Sequence, residues 1–330
     1  MRYSTVGMLT LALRLVIGWT YFSAFWRRLI LENKLVENEA GYIGEKFNHF
    51  LPNALGIKPL IEYLVSNPDK LWWAMVVFTV VEGIVGLLLM LGFFTRLMSI
   101  GVMSLAAGIL LGSGWLGTTC LDEWQIGVLG ISGGFVLFLS GSGYFSLDHC
   151  LYTRKYRFTR KKWFVWLASG VLDLNRYKKQ VLWGSLLILG LTLFTNQYFH
   201  GGVYGTLHNK SVKPKLEITD ARLGETLSFE VMRTEGADVY GSFLIGIQVL
   251  EGDTVIAEWG RERLSGLKPE AISNYYVAKV KPGAYSLVLP LGARAKITLE
   301  VEEQLKRDHK PLTLKLIDIS GASWTAELSK

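Results

Sequence analysis

Cysteine is nearly missing from this chain of 330 residues: only Cys120 and Cys150 occur. That excludes a disulfide scaffold and a zinc knuckle, which need more thiols. A haem-attachment CxxCH is absent, and no flavin or iron–sulfur motif is present. Charge is also scarce, at 19% of residues against 50% hydrophobic, with a mean hydropathy of +0.28. This is too apolar for an ordinary soluble enzyme and too dilute for a chain made only of membrane spans. Two kinds of segment are therefore mixed, and the length allows about two domains. The formal net charge of +7 does not call for nucleic acid, because much of it sits between Arg154 and Lys179, where anionic headgroups explain it. Internal repeats and low-complexity tracts are lacking.

What is present is a series of apolar runs, at residues 6–31, 71–94, 96–116, 124–141 and 181–199. Each is near the roughly 17–25 residues a helix needs to cross hydrocarbon. Arg14 and the bulky Trp26-Arg27-Arg28 argue against a cleaved signal peptide, so the first run reads as a retained helix. The short turn Gly92-Phe-Phe-Thr-Arg96 predicts an antiparallel helix hairpin. The loop after the fourth run carries nine Lys and Arg between Arg154 and Lys179, which places it in the cytoplasm. Counting crossings, the loop 117–123, without Lys or Arg, and everything beyond His200 then face the extracytoplasmic side of the plasma membrane. Arg27 and Arg28 fall at the outer end of the first helix, where that rule disfavours them.

From Lys215 onward the pattern alternates with period two, in Leu216–Thr219, Thr226–Val231, Phe243–Val249, Ala284–Leu289, Ala295–Val301 and Leu312–Ile317. Turn signals at Glu251-Gly-Asp and Lys281-Pro-Gly separate these stretches. The fold class expected is a membrane α-helical bundle, four helices plus a fifth span, followed by an extracytoplasmic all-β sandwich-like domain. The parts divide as 1–180, 181–200 and 201–330.

Several residues could carry chemistry. Arg14 and Glu82 both fall about 15–20 Å from the outer ends of their helices at 1.5 Å per residue, which predicts a pair, since a lone charge there costs at least about 2.5–3.5 kcal/mol. Such a pair is either a structural tie or part of a proton or quinone path. Cys120 stands beside Asp122, Glu123 and Trp124 in an outer loop, as either a reactive thiol or an inert small residue. Cys150 lies on the opposite side, so the two form no intramolecular disulfide. Arg27 and Arg28 either hold an oxyanion through their donor forks or snorkel to headgroups. Trp19, Tyr21, Trp26, Trp115 and Trp124 make an aromatic set that serves as interfacial anchors or lines a ring pocket. Gly112-Ser-Gly-Trp-Leu-Gly117 matches GxGxxG only formally, because it ends a membrane helix. Gly130-x-x-x-Gly134 predicts close helix approach. His200 and His208 bracket a glycine-rich stretch as metal ligands, an acid/base pair or interface residues.

At Leu13–Gly18, Glu82–Gly86, Gly92–Arg96 and Gly114–Trp124 the chain resembles the DoxD subunit of thiosulfate:quinone oxidoreductase, and at His200–Pro214 it resembles the DoxA subunit. The namesake subunits are separate chains, whereas here they are fused. The resemblance implies coupling of two thiosulfates to tetrathionate, with membrane quinone as electron acceptor and co-substrate and no metal. It implies catalytic roles for Cys120, Asp122 and Glu82, and substrate contacts from Arg27, Arg28, His208 and Arg14. Trp19, Trp115 and Trp124 would hold the quinone. The partners implied are thiosulfate, the quinone pool and the lipid bilayer, with a homo-oligomer or association with a terminal oxidase, and no nucleic acid. A non-enzymatic DoxX-like scaffold or sulfur-oxyanion conduit is the competing reading, and a quinone reductase using sulfite or a persulfide is a further one.

Overall fold

Hydrocarbon offers no partner to a backbone N–H or C=O, so apolar runs must satisfy their own groups by winding into helices. The computed structural model describes residues 5–37, 39, 41–117, 122–170, 172, 175–237, 242–302 and 311–329. A single turn, α1 (Val6–Leu9), leads into α2 (Leu11–Phe25), which continues as a π-helical turn over Trp26–Leu31. Two short helices follow, α3 (Gly44–Phe50) and α4 (Lys58–Val65). The long helices are α5 (Pro68–Leu91), α6 (Thr95–Ser113), α7 (Asp122–Ser140) and α10 (Lys178–His200), with α8 (Leu147–Thr153) and α9 (Lys162–Leu167) between the last two. Among the described residues four helices are long and apolar enough to cross a membrane, within α5, α6, α7 and α10. The first apolar run is divided between its α and π parts. Pro68 opens α5 at a position where a missing N–H removes no helical bond.

The chain folds into two compact units that do not follow its order. The first holds the described residues up to Tyr42, then Trp72–Gly114 and the described residues from Asp122 to His208. Within it α2 lies antiparallel to α5: a Cβ on Gly18 would come 2.8 Å from the Gly86 carbonyl oxygen. The Gly130 and Gly134 spacing does allow close approach, since Cβ atoms there would meet the Ala106 Cβ at 2.8 Å and the Met103 Cγ at 2.7 Å on α6. Tyr21, Val85, Leu89, Met98, Val102, Leu105 and Leu137 form the core between α2, α5, α6 and α7. One end of the bundle is tied by charge. Buried Arg96 donates to the carbonyls of Phe138, Val165, Trp166 and Gly170. Asp148, fully buried, accepts from the backbone N–H groups of Phe94 and Thr95 and from the hydroxyls of Thr95 and Ser169, at 2.7–3.1 Å. It thus caps α6 from a distant segment, where the helix's first donors lack partners and a negative charge is favoured.

The second unit joins residues 43–71 and Trp115–Gly117 to everything described from Asn209 onward. Its strands are β1 (Lys215–Leu223), β2 (Thr226–Glu235), β3 (Ser242–Glu251), β4 (Thr254–Gly260), β5 (Ile272–Asn274), β6 (Lys281–Pro282), β7 (Leu287–Leu289), β8 (Arg294–Glu300), β9 (Leu312–Asp318) and β10 (Ser323–Glu327), with a short helix α11 (Arg261–Ser265) before β5. One sheet runs β1-β2-β8-β5 and the other β10-β9-β3-β7-β6, with β4 also on β3. The alternating apolar faces of β2, β8, β3, β7 and β9 bury Phe229, Ile297, Ile247, Leu289 and Leu314 between the sheets. This is the expected sandwich. Two details differ from expectation. Lys281-Pro282, expected as part of a turn, pairs with β7, and Ala284–Ser286, expected in a strand, turns, with Gly283 N–H bonded to Ser286 O at 2.7 Å. A proline is tolerated there because a two-residue strand at the sheet's edge needs no second ladder bond.

Helices α3 and α4 pack with this sandwich although they precede it by well over a hundred residues. Asn48 donates to Gly292 O at 2.9 Å and accepts from Ala278 N–H at 3.2 Å, and Val277 N–H bonds to Val65 O. Leu51, Ile61 and Val65 are buried. Residues 43–71 and Trp115–Gly117 thus belong to the same compact unit as the β-sandwich.

Candidate functional site

An ionised group inside a bundle needs a counter-charge, and the bundle supplies one for Glu82, though not the one expected. Glu82, on the middle of α5, is 2% exposed and receives a hydrogen bond from Arg28. Arg28 lies on the π-helical turn, an irregularity that recurs at functional sites. Its guanidinium also lies 6.0 Å from the centre of the Phe78 ring, one turn before Glu82. Arg27, exposed on the same turn, donates its Nε to Ser23 O at 3.2 Å, and its charge acts on Glu82 as well. Tyr21 is buried beside them, its hydroxyl 3.0 Å from where a Cβ on Gly130 would sit, and it too feels the Glu82 charge.

The expected pairing of Arg14 with Glu82 is corrected. Antiparallel packing sets Gly18 against Gly86, which carries Arg14 toward Gly92, ten residues past Glu82 and about 15 Å further along the axis at 1.5 Å per residue. Counting from helix ends misjudged this because α5 starts earlier than its apolar run, at Pro68. Arg14 instead donates its two terminal nitrogens to the carbonyls of Ser142 at 2.7 Å and Phe145 at 2.5 Å.

Among the aromatic residues, Trp19 is 55% exposed on α2 and begins a string of rings, with Phe22 at 5.9 Å and Trp26 a further 5.8 Å from Phe22. Trp124 donates its Nε1 to Thr195 Oγ1 at 3.0 Å, tying the start of α7 to α10. Trp115 belongs to the unit with the sandwich, fully buried, its Nε1 donating to Phe50 O at 3.3 Å. Cys120 lies outside the described residues. Asp122 begins α7, and its side chain is likewise outside what is described. Among the described residues no group of three or more His, Cys, Asp or Glu side chains could hold a metal ion.

The glycine-rich stretch between the two histidines closes on itself: His208 N–H bonds to His200 O at 2.9 Å, which leaves the His208 side chain exposed. His200 is fully buried, with Nε2 2.9 Å from Gly114 O. Since a carbonyl only accepts, Nε2 carries the proton and Nδ1 is left as an acceptor, buried and without a partner among the described residues. Just beyond, Asn209 Nδ2 donates to Gly117 O at 2.6 Å. Ser211 Oγ accepts from Gly117 N–H at 2.9 Å and donates to Gly117 O at 2.5 Å. Asn209 Oδ1 takes Ser211 N–H at 2.9 Å, an Asx turn that presents both side chains together. Asn209 and Ser211 were not singled out from the sequence; Asn followed two residues later by Ser is the signal that marks such a turn.

A bundle of apolar helices with a counter-charged carboxylate inside, carried on one chain with an all-β sandwich, defines a multi-pass membrane protein with an attached β-domain. Residues 9–175 match the family described as TQO small subunit DoxD, and residues 199–327 match that described as TQO small subunit DoxA. The chain belongs to these small-subunit families of thiosulfate:quinone oxidoreductase, with both parts in a single polypeptide.

Proposed function

We propose that this protein is a membrane thiosulfate:quinone oxidoreductase that oxidises thiosulfate to tetrathionate on the extracytoplasmic face and reduces membrane quinone. Besides family membership, one observation carries the reading: Arg28 is hydrogen-bonded to the buried carboxylate of Glu82, and a second guanidinium, of exposed Arg27, stands on the same turn. One positive charge is left over, on forked donors suited to the sulfonate oxygens of a dianion.

The chemistry balances without a metal or flavin. The Cys120 thiolate and one thiosulfate join through a new S–S bond, giving an enzyme-bound Cys–S–S–SO3⁻. The two electrons released reduce one quinone, which takes up two protons, with Glu82 and Asp122 as the groups that pass them. A second thiosulfate then attacks the outer sulfur of the cysteine disulfide bond; tetrathionate leaves and the thiolate returns. Arg27 and Arg28 hold the dianion, His208 contributes a further contact from its exposed position, and the aromatic string from Trp19 offers ring faces to a quinone. The orientation rests on the basic loop after α7 facing the cytoplasm.

Detergent-purified protein mixed with thiosulfate and a soluble quinone analogue is expected to bleach the quinone and to yield one tetrathionate for each quinone reduced. Cys120→Ser is expected to abolish turnover while the protein elutes as a folded particle. Near-normal turnover in that variant removes the thiol from the mechanism, and no quinone reduction by the wild type removes the activity.

A further inference from the structure

Helix α4 carries apolar side chains on both of its faces. At 3.6 residues per turn, Ile61 and Val65 share one face, and Pro59, Leu60 and Tyr63 share the opposite one. The first face is buried, whereas on the second Leu60 is 59% and Tyr63 55% exposed. The charged residues of the helix lie off this outer face and are bonded to the protein: Lys58 Nζ donates to Pro52 O at 3.3 Å, and Glu62 Oε1 accepts from the Tyr276 hydroxyl at 2.8 Å. A helix resting on a domain in water turns charge to the solvent, and one that is apolar all round is covered on every side.

Chain continuity says what meets the outer face. Only Ser66 and Asn67 separate α4 from Pro68, where α5 begins, and α5 is one unbroken helix long and apolar enough to cross a membrane. Two linking residues keep the end of α4 within about 11 Å of that start. Trp72 and Trp73, one turn into α5, are 41% and 62% exposed, with their rings edge to face at 4.9 Å. Such exposed aromatic residues at the end of a spanning helix settle at the headgroup boundary, so α4 lies within reach of the headgroup layer.

We propose that α4 is an interfacial helix, which seats Leu60 and Tyr63 in the headgroup layer of the membrane that α5 crosses and so fastens the β-sandwich to the bilayer surface. An amphipathic helix of this kind lies in the plane of the interface, and tyrosine, with an apolar ring and a polar tip, suits it. The exposed side chains are too few for a stable protein partner, which takes about 20–30 residues a side. The sandwich is joined to α4 by its own bonds, Tyr276 to Glu62 and Val277 N–H to Val65 O at 3.2 Å. Seating α4 therefore sets the distance of the sandwich from the lipid through contacts within one compact unit.

Spin labels at single cysteines read that seat directly. In the full-length protein with Cys120→Ser and Cys150→Ser, Leu60→Cys and Tyr63→Cys are labelled one at a time and placed in phosphatidylcholine–phosphatidylglycerol nanodiscs. Asp253→Cys, on the exposed turn between β3 and β4, is the water reference, and Val77→Cys, 57% exposed on α5, is the lipid reference. Collision with oxygen, which concentrates in lipid, is compared with collision with a water-soluble nickel chelate. The oxygen-to-nickel ratio at positions 60 and 63 is expected to exceed the water reference about threefold or more and to move toward the lipid reference, as for side chains sunk below the headgroups. A ratio equal to the water reference at both positions overturns the proposal. Where the cysteine-free chain does not fold, a benzophenone side chain in place of Tyr63 in the otherwise unaltered chain is irradiated in the same nanodiscs. A lipid adduct then supports the interfacial seat, and an adduct to a second copy of the chain, or none, overturns it.

Discussion

The helical unit contains two buried charge clusters built on opposite plans. At the end formed by the α5–α6 turn, α8 and α9, Arg14 and Arg96 send their donors to backbone carbonyls, and Asp148 collects backbone and hydroxyl donors. Partway along α5, Glu82 and Arg28 face each other instead, with a second arginine alongside. The first plan uses charge to join segments of the chain to one another. The second leaves surplus charge near the end of a helix, where an anion can compete for it.

Breaking the first cluster should show the larger effect, on stability. Asp148→Ala strands the donors of Phe94, Thr95 and Ser169 and should cost about 3–5 kcal/mol in detergent unfolding. If it still assembles, its turnover per folded molecule should change little. The second cluster should answer mainly in rate. Glu82→Gln keeps an acceptor for Arg28 but removes a proton carrier, and a loss of about ten- to a hundredfold in quinone reduction is expected, on the scale of general acid–base catalysis. An unfolded Glu82→Gln with Asp148→Ala intact would invert the contrast and assign the ion pair a purely structural role.

The smallest effect belongs to the sandwich. There Glu230 on β2 accepts from the Tyr275 hydroxyl at 2.5 Å and from two N–H groups of Arg294 at 2.6 and 3.1 Å. The Tyr275 bond first, then Arg294, holds the Glu230 carboxyl below its ordinary range. A carboxyl lowered by folding adds stability at pH above the ordinary carboxylate range and loses it as pH falls through the lowered value. Acid titration of unfolding should therefore be shallower in Glu230→Gln, by about 1 kcal/mol, as for an ion pair with one partner open to water. An unchanged acid limb would show that this pair contributes nothing measurable.

Much of the architecture was legible in residue order because it follows from local periodicity. Long apolar runs give helices wherever backbone groups must be self-satisfied, and alternation from Leu216 to Ile317 gives strands with one buried face. The Gly130 and Gly134 spacing announced a close helix contact for the same reason. Short elements escaped: β5 has three residues and β6 two, too few for any period to show.

Of the candidate site, Glu82, Arg27 and Arg28 could be picked out as charges where charge is costly, yet their pairing could not. Helix and strand formation, membrane insertion and the division into apolar and alternating halves depend on neighbours within a few residues, so the amino-acid order alone determined them. Which arginine meets Glu82, which loop groups of the sandwich hold α3 and α4, and which side chains hold Gly117 depend on residues tens to hundreds of positions apart. Those contacts form only when antiparallel register and sheet pairing bring the segments together, and so the tertiary structure alone decided them.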